Sequence, residues 1–133
     1  MGILSGGFDN NKYKLGETSV ITFILNDPPY GTEKSYNALR LAMSLVKAGN
    51  AVSVFMFADA VFCGIKGQKT PDGYYNIERM LSYIIRKGND VHACGTCIDA
   101  RGLKEESLAE GIKKSDLATV TTWVEESDKC LVF

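Results

Sequence analysis

The chain has 133 residues, enough for one domain with its own core. Hydrophobic residues make up 45% and charged residues 23%, and the formal net charge is −1, so no clustered basic surface for nucleic acid is expected. The longest apolar runs, such as 52–58, are too short to cross a bilayer.

Residues 1–16 are polar and Gly-rich and lack the apolar stretch of a secretory leader. Residues 1–17 therefore read as a loosely ordered lead-in, with a single domain over 18–133. The expected location is the cytoplasm, where the four cysteines rest reduced.

Residues 19–25 are dense in Val, Ile, Thr and Phe and read as a strand buried on both faces. The strand stops at the loop signal Asn26-Asp27-Pro28-Pro29-Tyr30-Gly31. A helix follows over 32–48, with Leu39, Ala42, Met43 and Val46 on one face and Gly49-Asn50 as its stop. Residues 51–57 read as a second buried strand.

The connection 58–75 is long for a small domain, which favours a functional role. A helix over 76–87 is predicted next, capped by Asn76 and carrying Ile77, Met80, Leu81 and Ile84 on one face. A strand over 90–93 leads into Cys94-Gly95-Thr96-Cys97 and a short helix. Residues 117–124 fit a helix that Ser115 could cap, preceded by a very short strand at 111–113. Residues 130–133 close the chain as a strand. The alternation predicts βαβ units and a mainly parallel sheet.

In open parallel sheets, ligands sit beyond the carboxyl ends of the strands. Three segments are expected there: 26–31, 58–63 and 94–101. The cysteine pair is the sharpest of them. A cysteine reacts as its thiolate, and helix N-termini and cations favour that form. Cys94 leaves a strand and opens a helix, so main-chain N–H groups are expected to point at its sulfur. Arg101 lies one helical turn after Cys97 and could add positive charge. His92 shares a strand face with Cys94.

The C-x-x-C spacing alone admits a thiol carrier, a dithiol redox pair or a metal site. A closed zinc site needs four ligands, and Cys63, Cys130 and His92 would have to join from scattered places, so no metal is expected. Cys130 reads as core. Asn26, Asp27, Asp59, Cys63 and His92 are the candidate binding residues around Cys94, Cys97 and Arg101. No phosphate-cradling glycine pattern and no Ser-His-Asp set occurs.

These residues resemble the DsrE/TusD/YchN-like group of sulfur-relay proteins. The resemblance spans about 20–133. It is carried by Asn26-Asp27-Pro28, the Phe57-Ala58-Asp59-Ala60-Val61 turn, the stretch CGTCIDARG at 94–102 and the closing DKCLVF at 128–133. It implies a three-layer α/β/α fold with a five-stranded, mostly parallel sheet, in trimers or hexamers. It further implies a cysteine that carries sulfane sulfur as a persulfide between donor and acceptor proteins, with no cofactor. The family's cysteine falls on Cys94, and Cys97 is an addition relative to the TusD- and DsrE-type members. The readings carried forward are sulfur carrier, non-catalytic ligand-binding or redox-sensing module, and dithiol oxidoreductase.

Overall fold

The computed structural model describes residues 18–133, so the reading of 1–17 as a lead-in lies outside the described residues. Five strands form one sheet: β1 (Val20–Leu25), β2 (Ala51–Met56), β3 (Asp90–Cys94), β4 (Lys113–Ser115) and β5 (Lys129–Val132). Their order is β4-β3-β2-β1-β5, and every pairing is parallel. The expected "mostly parallel" sheet is thus wholly parallel.

In the two central strands Ile21 pairs with Val52, Phe23 with Val54 and Leu25 with Met56. All six are buried, as side chains of one face of a covered sheet must be. Helices α1 (Lys34–Lys47) and α2 (Ile77–Arg86) pack together over that face, burying Leu39, Ala42, Leu81 and Ile84. A six-residue helix α3 (Gly95–Ala100) follows β3, and α4 (Leu117–Glu126) follows β4.

The chain steps outward from β1 to β4 and then returns to pair β5 with β1. With right-handed crossovers, the return connection must lie on the opposite side from α1 and α2. Accordingly α4 carries Trp123 onto Phe55 on the opposite face, with ring centroids 5.8 Å apart. The result is three layers.

Four details differ from the expectations. The connection 58–75 opens with a 3-10 turn, Ala58–Gly64, whose Ala60, Val61 and Cys63 are buried. The short strand lies at Lys113–Ser115 instead of 111–113, because Gly111 makes a turn at φ +89 and Ile112 folds into the core. Ser115 is thereby taken up in β4, and Asp116 caps α4 by accepting the Thr119 N–H at 3.0 Å. Cys130 is exposed, because β5 is an edge strand that α4 is too short to cover. No helix among the described residues is long and apolar enough to cross a membrane.

Candidate functional site

β3 is buried through Ala93 and Cys94, so its carboxyl end delivers the Cys94 sulfur to the rim of the sheet, only 8% exposed. Cys94 is also the N-cap of α3, and its Sγ accepts the Cys97 N–H at 3.4 Å. Gly95 permits this turn. A Cβ there would meet the Ser115 carbonyl oxygen at 2.9 Å, so any side chain would push β4 off the back of the pair.

Cys97 lies one turn further on and is half-buried. Its Sγ accepts the Ala58 main-chain N–H at 3.2 Å. Ala58 follows the end of β2 and opens the 3-10 turn at φ +51, alone among the described non-glycine residues in having a positive φ. The left-handed region costs an L-residue about 1–2 kcal/mol. Such strain persists where the surroundings fix it, most often at functional sites. Ala58 carries no sequence signal for this role, since its conformation is set by what surrounds it.

The sulfurs differ in environment. Burial raises the Cys94 thiol above its ordinary value. A side-chain hydrogen bond to Cys97 and the charge there add to the rise, and the Cys97 and Thr96 main-chain N–H groups oppose it. The Cys97 N–H points at the Cys94 sulfur as expected of a helix N-terminus, and burial works against the charged form there. α3 has only six residues, and desolvation outweighs its N–H groups.

Arg101 sits beside Cys97 through the chain. Its Nη1 donates to the Cys97 carbonyl at 3.1 Å and its Nε to Asp59 Oδ1 at 3.0 Å. That ion pair ties α3 to the turn carrying Ala58. Cys94, Cys97, Asp59 and Arg101 are thus brought together.

The remaining candidates are not. His92 shares the face of Cys94, but its Nδ1 is 2.9 Å from Ser115 Oγ and its ring packs on Trp123 at 4.6 Å. Burial holds the imidazole below its usual value, so it supplies no cation to the sulfurs at neutral pH. Asn26 donates through Nδ2 to the Phe133 carbonyl at 3.1 Å, closing the ends of β1 and β5. Asp27 accepts from Thr32 Oγ1 at 2.7 Å, and its carbonyl accepts from Ser35 Oγ at 2.8 Å. Cys63 is fully buried, with its Sγ 3.7 Å from the same carbonyl, and burial pushes its thiol up to about 12. Among the described residues no three His, Cys, Asp or Glu side chains converge as metal ligands. A separate cleft of about 490 Å³ between α1 and α2, lined by Tyr36, Arg40, Lys47, Tyr75 and Arg79, does not include the cysteines.

The model of the DsrE/DsrF-like family matches residues 19–133. The chain belongs to that family. The family is linked in general to sulfur relay. An uncharacterized protein of Methanopyrus kandleri is 41% identical over 114 residues, covering 86% of this chain and 93% of that protein. Protein YchN of Escherichia coli K12 is 36% identical over 115 residues, covering 85% and 97%. The crystal structure of the E. coli YchN protein superposes with a TM-score of 0.82 at 35% identity, covering 87% of this chain and all of that one. A protein of Methanobacterium thermoautotrophicum, 16% identical with a TM-score of 0.64 over 88% of this chain and all of that one, shares the fold.

Proposed function

We propose that the protein carries sulfane sulfur as a persulfide on the Cys94–Cys97 pair and passes it to a thiol of a partner protein. The observation that carries this reading is the Ala58 N–H aimed at the Cys97 sulfur at 3.2 Å, with Cys94 capping the same short helix. A main-chain donor fixed on a sulfur favours a charged sulfur both before attack and as a leaving group. Family membership supports sulfur chemistry over an unrelated binding role. No cofactor is needed for thiol exchange. The reading includes a cytoplasmic setting, donor and acceptor proteins, and self-association. Asn26, Asp27 and Cys63 order the loop after β1 and its join to the 3-10 turn, and Asp59 and Arg101 clamp the rim.

The test is intact-protein mass spectrometry after incubation with a persulfide donor, for wild type, Cys94→Ser and Cys97→Ser. Sulfur uptake by wild type that one serine variant abolishes is expected. If wild type takes up no sulfur, the carrier reading fails. The C-x-x-C spacing, which sets both cysteines on one turn of α3, favours a second reading, a dithiol–disulfide couple. That reading predicts a reversible disulfide in wild type and no dependence on a sulfur donor.

A further inference from the structure

The two cysteines are not equivalent, and what each sulfur touches sets them apart. The Cys97 sulfur is half-buried and accepts the Ala58 N–H at 3.2 Å. The Cys94 sulfur accepts the longer 3.4 Å bond from the Cys97 N–H, and its enclosure penalises charge. The shorter main-chain bond on the more open sulfur, and the enclosure of the other, place charge and proton on different residues.

We propose that Cys97 is the sulfur that bears the negative charge and takes up the sulfane sulfur. Cys94 is the thiol that keeps its proton, and Ala58 is the positioning residue whose main-chain N–H holds the Cys97 sulfur. This rests on the persulfide reading above.

The Cys97 thiolate attacks the outer sulfur of a donor R–S–SH. The donor's S–S bond breaks, R–S⁻ leaves with the electron pair, and Cys97–S–SH forms. Charge and sulfur change places and no oxidant is consumed. In delivery, an acceptor thiolate attacks that outer sulfur and Cys97 departs as thiolate onto the same Ala58 N–H. The direction of burial's effect on the Cys94 thiol agrees with this division.

Ala58 is testable because its geometry and its hydrogen bond can be separated. Glycine adopts φ +51 without a Cβ and keeps the N–H, whereas β-branched valine strongly disfavours that region. The experiment is iodoacetamide labelling from about pH 6 to about pH 10, resolved by peptide for Cys94 and Cys97 in wild type, Ala58→Gly and Ala58→Val. In wild type, Cys97 is expected to label at a pH lower than Cys94 by at least about one unit, a roughly tenfold difference in rate at neutral pH. Ala58→Val should slow Cys97 labelling at neutral pH by about tenfold, and Ala58→Gly should retain the wild-type profile.

If Ala58→Val fails to fold by circular dichroism, the wild-type labelling order and the sulfur uptake of Cys97→Ser decide in its place. Labelling of Cys94 at the lower pH overturns the assignment. So does a Cys97 curve that a folded Ala58→Val leaves unmoved. Sulfur uptake by Cys97→Ser at the wild-type level also overturns it while leaving the persulfide reading intact. The expected labelling order without any sulfur uptake overturns the persulfide reading and leaves only the division of charge and proton standing.

Discussion

At Cys63 the sulfur is enclosed on all sides and donates only to the Asp27 carbonyl, which ties the 3-10 turn to the loop after β1. Its thiol is pushed up to about 12 from an ordinary 9.0, first by desolvation. An acid whose folded value is raised stabilises the fold fully below its unfolded value, and that contribution is lost as pH climbs from about 9 towards about 12. Wild type should therefore lose stability above pH 9 by on the order of 1 kcal/mol per pH unit. Cys63→Ala should show a shallower alkaline slope on top of a lower baseline. Urea denaturation at several pH values checks this, and equal slopes would show that Cys63 ionisation plays no part. Native labelling should likewise find Cys130 at once and Cys63 only after unfolding. The sequence marks both as free thiols after loop or strand signals. It does not say which is enclosed, because enclosure is decided by distant elements. The assignment of Cys130 to the core failed for that reason.

Helix α2 starts at Asn76, whose side chain accepts the Arg79 N–H at 3.0 Å while its amide donates to the Gln68 carbonyl at 3.1 Å. Gln68 in turn donates to the Cys63 and Ile65 carbonyls, both at 2.9 Å, and accepts from Tyr30. One cap therefore orders the long connection as well as the helix. Asn76→Ala should lower stability by about 1–2 kcal/mol in urea titration, with Asn76→Asp recovering part of it through the cap alone. Helix α4 is held differently, by Trp123 against Phe55 and His92. A histidine whose folded value is depressed gives stability present above its unfolded value of about 6.5 and lost as pH falls below it. Trp123 is the chain's single tryptophan. Its fluorescence should therefore change as pH drops from 7 to 5, and His92→Phe should abolish the change. A wild-type signal that stays flat would mean His92 remains neutral there. Strands β1 to β3 and helices α1 and α2 were legible because buried β-branched runs and 3.6-residue periodicity are local signals. The Asn76 cap was legible for the same reason. Ala58 and the register of β4 were not. The first is held by Cys97 and the second by Cys94, each remote in sequence.

Across the whole molecule, α1 and α2 cover one sheet face, whereas the ten-residue α4 is alone on the other. Leu117 is left 69% exposed and Val132 65%. Beside them a mostly apolar groove of about 310 Å³ is lined by Ile24, Phe57, Leu117, Val120, Thr121, Val124 and Glu125. Contiguous apolar surface of this kind marks an interaction site more often than a free surface. The family resemblance, read from the motifs at 94–102 and 128–133, implies self-association, and the one-helix face offers apolar area for it. A second copy covering this face would lie next to Phe57, the residue before Ala58, so assembly and the cysteine pair would be mechanically joined. Light scattering behind size exclusion should give wild type a mass of several chains, with a melting temperature that rises with protein concentration. Leu117→Glu with Val124→Glu should reduce the mass to one chain, because two buried carboxylates without partners cost more than the apolar contact returns. Both positions are exposed in the single chain, so the double variant should keep its circular dichroism spectrum. A wild type that runs as one chain at every concentration removes self-association from the proposal. An oligomer unchanged by both glutamates moves the contact to another face, with the charged, tyrosine-lined cleft between α1 and α2 next to be tested.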